Sequence, residues 1–358
     1  MSSRTSPSFT SPIQKSVALQ PVSSATDLFV NAHPLYHPAG ARAVYGGAAV
    51  GQSVAAAKCT VSADFAAHSM HCTFVLAGNA DHEVYYYVER IRDGKNFATR
   101  TVQARQQDRC IFTATVSFVR VGSATGSSIE HATKIPNDVQ PPPDMNSLRD
   151  LQRMERLDPG FRRDDRPFES VRYPHNMPRD ATQRKERAWI RARGRIADNK
   201  DSESNIGLHQ AAFAYLSDSY LLGAITRVNG VSNVVRRPTI DSKMETFAAA
   251  SHDDQHAMQD YLKSISYNDF AQPRFKPTIR EGGKGEVDVI VSLNHSIFFH
   301  HPQALKADEW MFTETTVPWA GEDRGLVTQH IWSKEGVLVA TCTQEGLVRL
   351  RERGKERL

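Results

Sequence analysis

The sequence predicts an α+β protein made of two tandem repeats, each with a long antiparallel sheet wrapped around a central helix. The chain has 358 residues, enough for two domains, and two helix patterns rich in small apolar residues each precede a series of strand patterns. Residues 68–71 match 295–298, and residues 110–115 match 337–342, both at an offset of 227 positions. Because two separate blocks share one offset, we infer an internal duplication.

The composition excludes several classes of protein. Hydrophobic residues make up 40% and charged residues 23%, and the formal net charge of +4 is too small to indicate nucleic-acid binding, although it suits an anionic ligand. No segment has the length and apolarity of a membrane span, and the N-terminus lacks the apolar run of a signal peptide, so we expect a soluble intracellular protein. The cysteines fit neither a disulfide framework nor a zinc site, and we expect free thiols.

The first repeat is predicted over residues 28–121, after a tail over 1–27 that is rich in Ser, Thr and Pro and is expected to be disordered. A glycine pair opens a helix of small residues over 45–58. The strand patterns that follow, with Asp93-Gly94 as a hairpin turn, cover residues 68–76, 84–91, 98–104 and 109–119.

The second repeat is predicted over residues 166–353, after a linker over 122–165, and a charged tail covers 354–358. An insertion over about 228–286 shows few helix or strand signals, and its His- and Asp-containing segment 251–256 is interpreted as a solvated loop and not a metal site. The strand patterns of this half cover residues 168–173, 188–192, 287–299, 310–317, 326–332 and 337–343.

Asp218 is a carboxylate within the apolar stretch 209–222, which is predicted to be a helix. In a helix, its neighbours at three and four residues would be Ala214, Tyr215, Leu221 and Leu222, so the acid would lie on an apolar face. A carboxylate there needs hydrogen-bond donors or a chemical role. A structural acid and a functional acid are both compatible with this pattern.

Four separated motifs begin at Tyr45 (YGGAAVGQ), Arg90 (RIRDGKNF), Ser292 (SLNHSIFFH) and Thr343 (TQEGLVR), and they cover both repeats but neither the tail nor the insertion. Together these motifs resemble the acyl-CoA thioesterase II family, whose members are double hotdog proteins. The resemblance implies an acyl-CoA substrate, hydrolysis of its thioester, and no metal or redox cofactor. A homo-oligomer formed through the hotdog sheets is compatible with it.

The family's water-binding residues are an Asp in the second central helix, a Thr or Ser on the next strand and a Gln on the last strand. They match Asp218, Ser292 and Gln344. The resemblance therefore implies that Asp218 accepts a proton from water while the other two residues orient that water. The start of the first helix, at Gly46 and Gly47, is the candidate donor for the negative charge that develops on the carbonyl oxygen.

The 227-residue offset places Phe65 and Ser117 where the second repeat has Ser292 and Gln344, which predicts one site per chain. Strand alternation, however, places Ser292 on the same face as Asn294 and opposite Val291, so Ser292 need not face its own helix. A site between the repeats, or at an oligomer interface, would remove this conflict. The sequence departs from the family at Asn294, Ala48 and the turn 77–79, which affects the predicted substrate contacts only.

Two other kinds of site are possible from the sequence. His295, His300 and His301 would allow a Ser-His dyad, but no nucleophile-elbow pattern accompanies them. A dense basic run over residues 184–195 would suit the phosphates of CoA but is interpreted mainly as a solvated strand face.

Two alternative functions remain open: a hotdog enoyl-CoA hydratase and a non-catalytic acyl-CoA binding protein. Peroxisomal, cytoplasmic and mitochondrial locations are also open, because the final Glu356-Arg-Leu358 resembles a peroxisomal signal only in its last two residues.

Overall fold

The protein is described by a computed structural model that covers residues 11–36, 43–124, 126–142, 167–172, 178–196, 202–219, 221–231 and 283–352. Twelve strands form one sheet in the order β1-β2-β4-β5-β6-β3-β9-β12-β11-β10-β8-β7. Within the described ranges, no helix has the length and apolarity needed to cross a membrane. The predicted metal-type segment 251–256 and most of the predicted insertion lie outside the described residues.

The first half contains two helices and six strands. The helices are α1 (Pro12–Val17) and α2 (Gly46–Lys58). The strands are β1 (Leu19–Pro21), β2 (Leu28–Asn31), β3 (Phe65–Phe74), β4 (Tyr85–Asp93), β5 (Phe97–Gln106) and β6 (Arg109–Arg120). The predicted hairpin turn lies between β4 and β5, where the Gly94 N–H donates to the Phe97 carbonyl at 2.9 Å.

The second half repeats this arrangement. Its helices are α3 (Ser202–Ser217) and α4 (Gly223–Val228), and a short 3-10 helix covers Ala181–Gln183. Its strands are β7 (Phe168–Arg172), β8 (Lys185–Ala192), β9 (Gly283–Phe299), β10 (Met311–Gly321), β11 (Arg324–Trp332) and β12 (Leu338–Glu352). The two halves confirm the predicted double hotdog, an α+β fold with a central helix in each repeat.

A local pseudo-two-fold axis passes between β3 and β9, where the two halves of the sheet join. These strands pair antiparallel with Met70 opposite Ile297, and those two residues are equivalent at the predicted offset of 227 positions. The Ser69–Phe298 and His71–Ser296 pairs on either side are exchanged by the same symmetry. The ladder therefore confirms the duplication for these two strands.

The offset between β6 and β12 is 226 positions, which corrects the prediction by one residue. Ser117 pairs with Ser69 on β3, and Thr343 pairs with Ser296 on β9. Since Ser69 and Ser296 are equivalent, Ser117 matches Thr343 and not Gln344. A one-residue shift reverses the face on which every side chain of a strand lies, so this difference affects the comparison of the two candidate sites.

The central helices α2 and α3 pack against each other through glycine. A Cβ atom added at Gly51 would lie 2.8 Å from the Ala211 carbonyl oxygen, and one at Gly47 would overlap the Tyr215 carbonyl oxygen. The absence of side chains lets the two backbones approach, while α2 and α3 bury Val50, Val54, Phe213 and Leu216 against the sheet. Small residues in these helices thus place the start of α2 beside the end of α3.

The prediction that residues 1–27 form a disordered tail is wrong for residues 11–27. This segment contains α1 and β1, and it buries Ile13 and Val17 completely against the core. The Gln52 amide also donates to the Ser16 carbonyl at 2.9 Å. Short elements of this kind depend on tertiary contacts, which composition does not reveal.

Two further boundaries differ from the prediction. β9 begins at Gly283, so the end of the predicted insertion belongs to a strand. β12 continues to Glu352, which places Gln344 in the middle of a strand and not at its end. The predicted linker also has structure. The Trp332 indole donates to the Thr133 carbonyl at 2.8 Å. Val139 packs with the aromatic residues Trp189, Trp310 and Phe312.

Candidate functional site

Asp218 lies in the turn directly after α3, not in the middle of a helix. α3 ends at Ser217, and α4 begins only at Gly223, so the predicted continuous helix to Leu222 is wrong. The Ser219 N–H donates to the Leu216 carbonyl at 2.9 Å, which closes this turn. The half-buried Asp218 carboxylate therefore points out of the end of the helix toward the sheet.

The structure brings Asp218 together with both of its predicted partners. The Gln344 amide nitrogen is 2.6 Å from Asp218 Oδ1 and 3.0 Å from Ser292 Oγ, and the Ser292 hydroxyl donates to Asp218 Oδ1 at 3.4 Å. Because a carboxylate can only accept, the amide nitrogen of Gln344 must face it. The three side chains form one hydrogen-bonded group that joins the turn after α3 to β9 and β12.

A β-bulge at Leu293 turns Ser292 toward Asp218. Asn294 pairs with Glu345, but the next pair joins Ser292 to Gly346, so Leu293 is an extra residue on β9. Val291, before the bulge, is 47% exposed, whereas His295, after the bulge, is fully buried. The strict alternation that placed Ser292 on the outer face is therefore wrong at this point.

Burial raises the pKa of Asp218 to about 6, while hydrogen bonds from Gln344, Ser292 and the Gly47 N–H lower it in part. Such a pKa leaves most of the carboxylate ionised at neutral pH, yet basic enough to take a proton. Cys72 lies nearby on β3, and burial together with the Asp218 charge raises the pKa of its thiol. The raised pKa of Asp218 would suit a general base.

The glycine pair at the start of α2 lies against the Asp218 carboxylate. The Gly47 N–H lowers the pKa of the Asp218 carboxylate. A Cβ atom at Gly46 would lie 2.6 Å from Asp218 Oδ2 and 2.8 Å from the Phe74 ring. The site is therefore built from both repeats, because α2 and β3 belong to the first and α3, β9 and β12 to the second.

The matching location in the first repeat lacks these groups. Phe65 occupies the position of Ser292, as predicted, but the 226-residue offset places Phe118 where the second repeat has Gln344. Lys58 ends α2 and lies beside Gly207 of α3, much as Asp218 lies beside Gly46, and its amine donates to the carbonyls of residues 62, 63 and 65. The first repeat thus has Lys58, Phe65 and Phe118 where the second repeat has Asp218, Ser292 and Gln344.

Two other predicted groups lie elsewhere. His295 contacts Ser217 and not Ser292, and the His300 ring lies 2.9 Å from Thr341 Oγ1. In the basic run, Lys185 and Arg187 both bind Glu314, so these side chains are engaged in ion pairs and are not freely solvated. The buried Arg184 donates to three backbone carbonyls. These contacts account for Arg184, Lys185 and Arg187 without an external anion.

Comparison with known proteins now identifies the family. Residues 33–119 match the model of the acyl-CoA thioesterase N-terminal domain, and residues 136–348 match that of the C-terminal domain. The chain belongs to the acyl-CoA thioesterase II family. This membership makes it a thioester hydrolase, and it confirms the resemblance seen in the sequence.

Relatives of this thioesterase match along most of its length. It is 32% identical over 326 residues to acyl-coenzyme A thioesterase 8 of Mus musculus, covering 87% of this chain and 82% of the relative. It is 25% identical over 384 residues to the peroxisomal acyl-coenzyme A thioester hydrolase 1 of Saccharomyces cerevisiae, covering 94% of each. The crystal structure of an acyl-CoA thioesterase II from Mycobacterium marinum has the same fold, with a TM-score of 0.59 at 23% identity, over 96% of this chain and 99% of that one.

Proposed function

We propose that the protein hydrolyses fatty acyl-CoA to free fatty acid and CoA, with Asp218 as the general base that activates water. The observation that supports this most directly is the hydrogen bonding of the Asp218 carboxylate to Ser292 and Gln344, and burial that raises its pKa to about 6 is consistent with the role. Asp218 takes a proton from water as the water oxygen bonds to the thioester carbon. The carbon–sulfur bond then breaks, and the thiolate takes the proton to leave as CoA, with no covalent intermediate.

Gln344 and Ser292 orient the water. Both protons of the Gln344 amide are directed to Asp218 Oδ1 and Ser292 Oγ, while its buried oxygen meets no donor within the described residues. A water molecule beside Asp218 donates one proton to the carboxylate, whose position Gln344 and Ser292 fix. Fixing the carboxylate holds the water oxygen toward the thioester carbon, which reduces the entropic part of the barrier.

The start of α2 supplies the donor for the oxyanion. The Gly47 N–H is directed to Asp218, so this residue supports the base, and the neighbouring Gly46 N–H is the proposed donor to the thioester oxygen. Positive partial charge at the N-terminus of a helix stabilises a developing negative charge. This division assigns different tasks to the two glycines that the sequence analysis grouped together.

An apolar wall next to Gly46 suits a fatty acyl group. The Phe74 ring lies beside Gly46 and stacks edge-on against Phe112, with ring centroids 5.2 Å apart. The names of the mouse and yeast relatives state acyl-coenzyme A as their substrate. We therefore propose an acyl-CoA substrate whose thioester lies between Phe74 and Asp218.

The test is thiol release from a panel of acyl-CoA substrates by the wild type, Asp218→Asn, Ser292→Ala and Gln344→Ala. Removal of a general base lowers kcat by about 10²- to 10⁴-fold, and we expect Asp218→Asn to fall in this range. Asp323→Asn is the matched control, because it makes the same exchange in the exposed β10–β11 turn. Full activity of Asp218→Asn would contradict the proposal.

The same panel separates the two alternatives. An enoyl-CoA hydratase would consume enoyl-CoA without releasing thiol, and a binding protein would retain acyl-CoA without turnover. The names of the relatives favour hydrolysis over hydration, and a carboxylate held by two polar side chains favours catalysis over binding alone.

We also propose a peroxisomal location, on the basis of the yeast relative's name. Imaging of a fluorescent fusion with a peroxisomal marker tests this, and a diffuse cytoplasmic signal would contradict it. The homo-oligomer through the sheets stays a prediction, and sedimentation of the purified protein tests it.

A further inference from the structure

A fully buried histidine lies behind the base on the strand that carries Ser292. His295 is 0% exposed, pairs with Gln344 in the β9–β12 ladder, and directs its Nε2 atom to the Ser217 hydroxyl at 2.9 Å. Ser217 is the last residue of α3 and directly precedes Asp218. One hydrogen bond thus links the base's turn to the strands that carry both of its partners.

The direction of this hydrogen bond follows from the third group present. The Ser217 Oγ atom also lies 2.8 Å from the Ala214 carbonyl, which can only accept a proton. The single hydroxyl proton is therefore directed to Ala214, and Ser217 accepts from the Nε2–H of His295. The Nδ1 atom then carries a lone pair, and it has no partner within the described residues. This tautomer avoids burying an unsatisfied N–H donor.

His295 remains neutral in this environment, because burial lowers its pKa to about 3. It therefore holds no charge near Asp218 at neutral pH. Ser217 is 2% exposed and its proton is engaged, so the pair does not form a nucleophilic Ser-His dyad. The remaining chemical role of the pair is to hold the backbone.

The turn needs such support because it lies beyond the regular hydrogen bonds of α3. The last carbonyls of a helix lack partners within that helix. One of them, Tyr215, accepts from the Tyr45 hydroxyl at 2.9 Å on the α2 side. His295 provides the tie on the β-sheet side. We propose that His295 is a positioning residue, which holds Asp218 in its catalytic geometry through the Ser217 hydroxyl.

This inference rests on the proposed role of Asp218, and the test includes that role. His295→Phe keeps a ring but removes the donor, and His295→Gln restores an N–H donor. The other variants are Ser217→Ala, the double variant that combines Ser217→Ala with His295→Phe, and Asp218→Asn. The readouts are kcat, KM, the pH dependence of kcat/KM and the melting temperature. His300→Phe is the control, because that histidine contacts Thr341 on the exposed side of the sheet.

We expect His295→Phe and Ser217→Ala each to lower kcat by about 10- to 100-fold while KM changes less than about twofold, since a small displacement of a base affects the reacting geometry. The double variant should lose no more than the worse single variant, because both remove one interaction. His295→Gln should recover most of kcat. The groups that face Asp218 are Gln344, Ser292, the Gly47 N–H, Cys72 and Tyr215. Burial is the main cause of the raised pKa of Asp218. If the turn loosens and water reaches the carboxylate, this pKa should fall, and the acidic limb of kcat/KM should move to lower pH.

The outcomes separate the two proposals. If Asp218→Asn remains active, the proposed function fails. If Asp218→Asn is inactive but His295→Phe keeps wild-type kcat, the positioning role fails. Equal losses in His295→Phe and His295→Gln, with a lower melting temperature and an unchanged acidic limb, would show a structural role only and would also overturn the inference.

Discussion

The carboxylate of Asp218 is held in a place that costs stability. Its pKa of about 6 exceeds the ordinary value of 3.8 because burial disfavours the charged form. A raised pKa in the folded state contributes stability below pH 3.8, and this contribution is lost as the pH rises through 6. At neutral pH the ionised Asp218 therefore lowers the stability of the fold. Such a cost is expected where a residue needed for activity is unfavourable for stability.

Asp218→Asn should stabilise the protein at pH 8 while it lowers kcat. The variant removes the desolvated charge. From the size of the pKa shift and the partial solvent access of the residue, we expect the free energy of unfolding to rise by about 1 to 3 kcal/mol. Melting curves at pH 8 and pH 4 check this, since the gain should be present at pH 8 and nearly absent at pH 4. A variant less stable than the wild type at pH 8 would show that Asp218 is mainly a structural acid.

Gly46→Ala should reduce activity more than stability. The added Cβ atom would lie 2.6 Å from Asp218 Oδ2 and 2.8 Å from Phe74, so either the base or the apolar wall must move. We expect kcat to fall about 10- to 100-fold, as for a misplacement of about 1 Å. Gly207→Ala is the matched control, because its Cβ atom would press on the Lys58 side chain, with the nearest atom at 2.9 Å, and not on Asp218. Equal effects of the two changes on thiol release would contradict this prediction.

At the scale of elements, the bulge in β9 decides which residues enter the site. With Leu293 unpaired, Ile290 packs against the core before the bulge while His295 and Ile297 face the core after it. An unbulged strand could not present both Ser292 and His295 to the inner face, because they are three residues apart. The bulge is therefore what allows one strand to supply both the partner of the base and its tether.

Deletion of Leu293 should be tolerated better than deletion of a paired residue. It removes the unpaired residue and keeps the Ser292–Gly346 and Asn294–Glu345 pairs, so Ser292 stays on the inner face. We expect kcat within about tenfold of the wild type, because only the bend of the strand changes. Deletion of Ser296, which pairs with both His71 and Thr343, is the control and should abolish folding or activity. Loss of activity in the Leu293 deletion with an intact fold would contradict this account of the bulge.

Much of this arrangement could be predicted, and the exceptions have physical causes. Alternation and small residues predicted most strands and both central helices, and the family resemblance supplied Asp218, Ser292 and Gln344. The bulge could not be predicted, because register depends on the partner strand. The end of α3 was missed because apolar residues continue beyond Ser217. The roles of the Gly47 N–H and His295 were missed because each is a single contact made between distant segments.

At the scale of the whole molecule, the site depends on both repeats remaining in register. α2 contributes Gly46 and Gly47, while α3 contributes the turn of Asp218, and close approach of the two helices holds these parts together. The first repeat has Lys58, Phe65 and Phe118 at the matching positions. The duplicated halves therefore have unequal chemistry within one continuous sheet.

Gly51→Ala should weaken this contact between the helices. Its Cβ atom would lie 2.8 Å from the Ala211 carbonyl oxygen and 2.9 Å from the Tyr215 Cβ, so backbone must shift. We expect a loss of about 1 to 3 kcal/mol in the free energy of unfolding, as for other overpacked cores, and a lower kcat as α2 moves from Asp218. Chemical denaturation and thiol release measure the two effects. An unchanged kcat at an unchanged melting temperature would show that the helices adjust without affecting the site.

The ends of the twelve-stranded sheet have a consequence for solubility. An unpaired strand edge can recruit another chain, and natural proteins limit this with short edge strands, proline and charge. β1 has three residues and ends at Pro21, and β7 has five residues that include Glu169 and Arg172. β1 thus covers the edge of β2, and a chain shortened to begin at residue 28 would expose β2 as a new edge prone to aggregation.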